Sequence, residues 1–263
     1  METFFKIIIP NYNSANYIEK CIESIECQTF KDFVIIVIDD LSTDNSMDII
    51  YSLQRKYNNI YIHMPKEKVW NGGARNYGID YPIESKYTLF MDDDDWYSDN
   101  NCLETIYNLI INNNYPDCIR LSYNLVLENE IIPVVLKDDN PIDLTNSLFI
   151  APWTHCIKSD IVVKFPENTL VEDVSWNIEQ CDKIQTVVPC LKPINCWNRT
   201  NQNSISVQEE VNNSFCGKRK SSVFRCIADL LDLELEHDYT RANRDWRVEQ
   251  YLESIKNGTI RTF

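Results

Sequence analysis

Two rhythms of apolar positions alternate along the first 115 residues. Phe4–Pro10, Phe33–Ile38, Ile60–His63 and Tyr87–Met91 are short, nearly continuous apolar runs. That is the pattern of parallel strands covered on both faces. Between and after them, apolar residues recur at intervals of three and four: Tyr17, Ile18, Cys21, Ile22 and Ile25; then Met47, Ile50, Leu53 and Tyr57; then Leu103, Ile106, Leu109 and Ile110. This spacing predicts helices with one buried stripe. Ser42 or Thr43 is the expected cap of the second helix. Asn71-Gly72-Gly73 reads as a loop leading into a further helix near residues 74–79. Strand and helix alternate, which predicts a doubly wound, mostly parallel sheet flanked by helices.

Beyond residue 115 the pattern is less regular. Leu121–Leu127 and Ile131–Leu136 are expected to pair as strands. Val171-Glu172-Asp173 leads into a helix through Cys181, and residues 184–188 and 194–197 read as two further strands. From about 206 the chain reads as helical. The expected organisation is one domain over 1–205, in two halves (1–115 and 116–205), with a C-terminal helical extension over 206–263.

Charge is distributed unevenly. Residues 1–216 carry 16 basic and 32 acidic side chains, against 9 and 8 in residues 217–263. An acidic body argues against nucleic acid as a partner, because such binding needs a basic face. The C-terminal segment holds Lys218, Arg219, Lys220, Arg225, Arg241, Arg244 and Arg247. It reads either as a solvated helix face or as a patch resting on an anionic membrane surface beside a lipid-linked acceptor. No apolar run reaches membrane-spanning length, and Met-Glu-Thr-Phe-Phe-Lys lacks the pattern of a signal peptide. The expected location is therefore cytoplasmic, with peripheral contact at the inner face of the membrane through 217–263 as the sharper alternative. The ten cysteines form no Cys-x-x-Cys pair, so reduced core thiols are expected rather than a zinc site.

The densest chemistry is the run Asp92-Asp93-Asp94-Asp95 behind the fourth apolar strand. Four adjacent like charges repel one another unless a cation neutralises them. Mg²⁺ and Mn²⁺ prefer such oxygen ligands and share them with phosphates. Ligands of doubly wound sheets bind beyond the carboxyl ends of the strands. Pro10-Asn11-Tyr12-Asn13, Asp39-Asp40 and the acidic run are all expected at that edge.

In order and spacing, Pro10-Asn11-Tyr12-Asn13, Ile38-Asp39-Asp40, Ala74-Arg75-Asn76-Tyr77-Gly78, Asp92-Asp93-Asp94-Asp95-Trp96 and Glu172-Asp173 resemble the family 2 glycosyltransferases over roughly residues 4–200. The resemblance implies a GT-A fold and a metal-dependent, inverting transfer of a sugar from a nucleotide-diphosphate sugar, a UDP-sugar favoured, to a hydroxyl of a glycan or lipid-linked glycan in surface polysaccharide synthesis. It implies residues 1–115 as the nucleotide-sugar half and 116–205 as the acceptor half. Pro10, Tyr12, Asn13, Asp39, Asp40, Arg75, Asp92 and Asp93 are the implied donor contacts. Asp92 and Asp94 are the implied ligands of Mn²⁺ or Mg²⁺, and Asp173 the implied catalytic base. Glu172, Trp153 and Arg199 are further candidates for the diphosphate or the acceptor. The chain departs from the family where a glycine usually follows the second carboxylate pair: Leu41 stands there.

Each residue also has a structural reading. Asp39-Asp40 reads equally as a turn, Arg75 as a surface helix residue, and Glu172-Asp173 as acids complementing a helix N-terminus. Trp153 suits a core, and His63, His155 and His237 are too dispersed for a metal triad. Competing functions are a non-catalytic sugar-nucleotide-binding module and a transferase acting on protein or nucleic acid. A sugar-nucleotide pyrophosphorylase is disfavoured, because Asn11-Tyr12-Asn13-Ser14 lacks its glycine-rich loop.

Overall fold

The computed structural model describes residues 2–136, 151–167, 172–202 and 204. The expected helical extension over 206–263 and its basic patch lie outside them. Among the described residues nine strands form one sheet: β1 (Thr3–Asn11), β2 (Phe33–Asp39), β3 (Ile60–His63), β4 (Ser85–Phe90), β5 (Trp96–Tyr97), β6 (Cys118–Val126), β7 (Ile131–Val134), β8 (His155–Lys158) and β9 (Val187–Asn198). The order is β3-β2-β1-β4-β8-β6-β9-β5, with β7 paired to β6 at the side. The first four strands run parallel, β8 is antiparallel to β4 and β6, and β9 is parallel to β6. The helices are α1 (Ile18–Glu26), α2 (Ser46–Lys56), α3 (Trp70–Ile79), α4 (Cys102–Asn112) and α5 (Glu172–Lys183).

The apolar rhythm explains the layering. All nine residues of β1 are buried. Phe5, Ile7 and Ile9 face the layer made by α1, α2 and α4, through Cys21, Ile22, Ile50, Leu53, Leu103 and Ile106. Ile8 faces the opposite layer, with Phe90, Ala74 of α3 and Trp176 of α5. A strand covered on both faces has no polar side to present, hence the continuous runs. Lys6 faces the α3 side, where its ammonium donates to the Ile79 and Tyr81 carbonyls at 3.2 and 3.4 Å. It thereby satisfies carbonyls at the helix's C-terminal end.

Three local expectations are corrected. Helix α3 begins at Trp70, so Asn71, Gly72 and Gly73 are helical rather than a loop. Their poor helix propensity is overridden by packing: a Cβ on Gly72 would meet the Pro166 carbonyl oxygen at 2.8 Å. Helix α2 starts at Ser46 instead of being capped by Ser42 or Thr43; the Ser46 amide donates to Asp44 at 2.9 Å. The apolar segments at 184–188 and 194–197 do not form two strands. β9 runs unbroken from Val187 to Asn198, and register shifts opposite Leu121, Ser122 and Tyr123 absorb the interruption at Lys192-Pro193.

The eight described cysteines are all free thiols, mostly buried, as their scatter predicts. Among the described residues no helix is long and apolar enough to cross a membrane.

Candidate functional site

The parallel register brings the carboxyl ends of β1 and β2 together, with Asn11 beside Asp39. The Met91 amide donates to the Ile8 carbonyl at 3.0 Å, which carries the acidic run to the same edge. Asp39 is fully buried and accepts from Asn11 Nδ2 at 2.6 Å, the Ser42 amide at 3.0 Å and the Ser42 hydroxyl at 2.6 Å. Asp40 accepts the Val69 and Trp70 amides at 2.7 and 2.9 Å, so its carboxylate holds the start of α3. Both acids are thus tied into loops, as the turn reading anticipates.

Asn13 Oδ1 accepts the Thr43 amide at 2.7 Å and joins the β1 and β2 ends. Pro10 lies buried opposite Ile38, one residue before the end of β1. Tyr12 is 45% exposed, leaving an aromatic face at this edge. The Lys68 ammonium lies 3.0 Å from the Tyr12 ring centroid, 5.4 Å from that of Trp70 and 3.4 Å from Asp40 Oδ2. Asn13, Leu41 and Trp70 all have positive φ, at 52°, 62° and 61°. Leu41 therefore adopts the left-handed backbone that favours glycine, at the position where the family usually has one. For a bulky Trp70 the conformation is rarer still, and strain of this kind gathers at functional edges.

The four aspartates divide into two pairs. Asp93 accepts the Tyr12 amide at 3.0 Å, and Asp95 accepts the Asn198 amide at 2.8 Å. Asp93 and Asp95 thereby fasten the run to β1 and β9. Burial, with repulsion from Asp94 next, pushes both carboxyls well above the usual carboxylate range. Burial, reinforced by the Asp92 charge against a hydrogen bond from Asn201, raises Asp94 to about 6. The second oxygen of Asp95 is buried without a partner among the described residues. Buried carboxylates crowded in this way fit a divalent cation. Among the described residues, no three His, Cys, Asp or Glu side chains converge as a complete metal cage. The arrangement suits a cation held by one or two carboxylates and completed by phosphate oxygens and water. Asp94 Oδ2 receives the Asn201 amide at 2.7 Å, and the Arg199 charge acts on the same carboxyl.

Arg75 is not a surface residue. It is 3% exposed and donates through one terminal nitrogen to Glu172 at 2.7 Å and through the other to Asp92 at 2.9 Å. Burial opposes its charge, but the two carboxylates outweigh burial and raise its proton affinity. Glu172 and Asp173 form the first turn of α5, the end of a helix that favours negative charge. Trp153 is buried, in ring contact with Tyr123 at 5.0 Å and Trp197 at 5.9 Å, and the Arg199 guanidinium lies 4.9 Å from the Trp197 ring. His155 is buried and His63 stacks on Tyr77, so neither joins a metal site; His237 lies outside the described residues.

The sequence reading missed Lys68, Trp70, Asn198 and Asn201. Only their tertiary partners mark them, since Asn201 meets Asp94 across 107 positions.

The comparisons agree with this geometry. Residues 6–131 match the family described as glycosyl transferase family 2. Glycosyltransferase GlyA of Streptococcus pneumoniae is 35% identical over 105 residues, which is 40% of this chain and 15% of that protein. Minor teichoic acid biosynthesis protein GgaA of Bacillus subtilis is 44% identical over 108 residues, 39% of this chain and 24% of that one. The chain thus spans a minor part of the length of these curated relatives. The crystal structure of S. aureus TarS 1–349 in complex with UDP-GlcNAc superposes with a TM-score of 0.79 at 19% identity, covering 98% of this chain and 74% of that one. That likeness establishes the GT-A fold, and the stretch 6–131 is similar to glycosyl transferase family 2.

Proposed function

We propose that the chain is a metal-dependent, inverting glycosyltransferase that moves a sugar from a nucleotide-diphosphate sugar, a UDP-sugar favoured, to a hydroxyl of a surface glycan. The observation that carries this reading is the Arg75 bridge, which sets the acidic run against the first turn of α5. In this reading the bridge keeps a cation-binding carboxylate and a carboxylate suited to proton abstraction close to one another.

In this reading Tyr12 offers its exposed ring to the base, and Asp92 and Asp94 hold Mn²⁺ or Mg²⁺. The cation, when bound, supplies positive charge to the departing diphosphate. Asp173 takes the proton of the acceptor hydroxyl as that oxygen bonds to the anomeric carbon. The bond from that carbon to the diphosphate oxygen breaks with its electron pair leaving on the nucleotide, and attack from the opposite face inverts the configuration. Arg199, close enough to act on Asp94, adds positive charge on the phosphate side. Tyr123 and Trp197, backed by buried Trp153, form an aromatic wall suited to an acceptor sugar.

Thermal unfolding with UDP, GDP, CDP and dTDP, each with and without Mn²⁺, tests the donor side, because a ligand bound only by the native state raises the melting temperature. The expected result is a metal-dependent shift for UDP that disappears in Asp94→Ala. Asp173→Asn is expected to keep that shift and lose turnover. No shift with any nucleotide would overturn the reading.

A further inference from the structure

Arg75, Gly72 and Asn76 share one helix, and all three touch the segment that leads into α5. Asn76 Nδ2 donates to the Phe165 carbonyl at 2.9 Å, and the Phe165 amide returns a bond to Asn76 Oδ1 at 2.7 Å. Gly72 lies so close that an added Cβ would meet the Pro166 carbonyl oxygen at 2.8 Å and Glu172 Cγ at 3.1 Å. The Arg75 guanidinium lies 5.3 Å from the Phe165 ring and bonds Glu172. Trp176, one turn further along α5, stacks on Phe165 at 4.6 Å with an interplanar angle of 4°. On its other side Arg75 holds one oxygen of Asp92. Each terminal nitrogen of Arg75 makes one of these bonds, and its Nε is buried without a partner.

We infer that Arg75 is a positioning residue: through Glu172 and Asp92 it fixes the first turn of α5, and with it Asp173, against the acidic run. The guanidinium makes no contact with the nucleotide. Gly72 and Asn76 complete the same brace from the backbone side. This rests on the reading of Asp173 as the base. The physical argument is geometric. Helix α5 is not part of the sheet's strand ladders, yet a base must be held within a fraction of an ångström of its hydroxyl, and a displacement of about 1 Å costs roughly 100-fold in rate. A planar fork with two fixed hydrogen bonds does this, whereas a lysine ammonium cannot span both carboxylates in the same geometry.

The test compares Arg75→Lys and Gly72→Ala with the unaltered chain. UDP affinity with Mn²⁺ is measured by calorimetry. Turnover is measured as UDP release from UDP-glucose, UDP-galactose, UDP-GlcNAc and UDP-GalNAc across pH. Both variants are expected to bind UDP within about threefold of the parent while kcat falls on the order of 100-fold. The donor KM stays nearly unchanged, and the acidic limb of the pH profile moves. Gly72→Ala reports on the same brace without touching any charge, and alanine suits a helix, so it stands in if Arg75→Lys does not fold. Loss of UDP affinity by tenfold or more in Arg75→Lys, with kcat kept, would make Arg75 a nucleotide contact and overturn the inference. Unchanged kcat and pH profile in both variants would reduce the brace to a structural role and overturn it too. Full turnover by Asp173→Asn would instead remove the base reading, a separate result from either.

Discussion

Among the described residues two arginines are buried, and they are treated in opposite ways. Arg75, on the donor side, lies between two carboxylates that raise its proton affinity. Arg120, on β6, donates to the Thr154 hydroxyl at 2.8 Å and the neutral His155 Nε2 at 2.9 Å, and burial pulls it down to about 10. Each leaves its Nε unpartnered. The surroundings differ as well. The donor edge carries crowded carboxylates and the positive-φ residues Asn13, Leu41 and Trp70. Around Arg120 the hydrogen-bond partners are a hydroxyl and an imidazole, with no carboxylate among the described residues. The crowded carboxylates lie at one edge of the sheet, together with three of the five positive-φ non-glycine residues among those described. Arg120 acts instead as a polar staple between β6 and β8.

The largest expected effect separates the two arginines by stability. Arg75→Met strands Asp92 and Glu172 without their cation and should cost about 3–5 kcal/mol, as for other broken buried pairs. Arg120→Met removes a charge that has no carboxylate to lose. It leaves Thr154 still bonded to the Ala151 carbonyl, and should cost no more than about 2 kcal/mol. Urea denaturation of both variants checks this, and equal losses would erase the distinction.

A smaller effect concerns pH. Burial, and then the Arg120 charge, hold His155 well below the usual imidazole value. A depressed histidine contributes stability that is complete above the unfolded value of about 6.5 and is lost as pH falls below it. His155→Gln keeps an acceptor for Arg120 and cannot protonate. Its melting temperature, measured from pH 7.5 to 5, should fall less steeply than that of the parent chain. The smallest effect tests the strain. Leu41→Gly should stabilise the fold by at most about 1 kcal/mol, because glycine adopts φ near 62° freely. A clear loss of stability would show that the packing of the Leu41 side chain outweighs its backbone cost.

Much of the fold was legible because doubly covered strands have a plain signature. β1, β2 and β4 declare themselves by unbroken apolar runs, and the acidic run by its charge. The start of α3 was hidden because its glycines signal a loop, and only the approach of Pro166 and Glu172 explains them. Pro193 looked like a break in β9, but the bulged register against β6 carries the strand past it. The burial of Arg75 could not be read from a lone cation at helical spacing. Its partners lie 17 and 97 positions away, and only the fold brings them together. The polar clusters expected at the carboxyl edge of the sheet do meet there. That Asp93 and Asp95 fasten the acidic run to β1 and β9 was not readable from the sequence.

The β5–β9 ladder has a consequence for the order of assembly. Trp96 and Tyr97 pair with Cys196 and Asn195, and Asp95 bonds the Asn198 amide across 103 positions. Contacts this distant in sequence close late, because the loop entropy must be met before they contribute. A growing chain therefore exposes its four aspartates about a hundred residues before the strand that secures them has been synthesised. The parallel half of the sheet can form with Asp93 already bonded to the Tyr12 amide, and the Asp95 end of the run is secured only when β9 arrives.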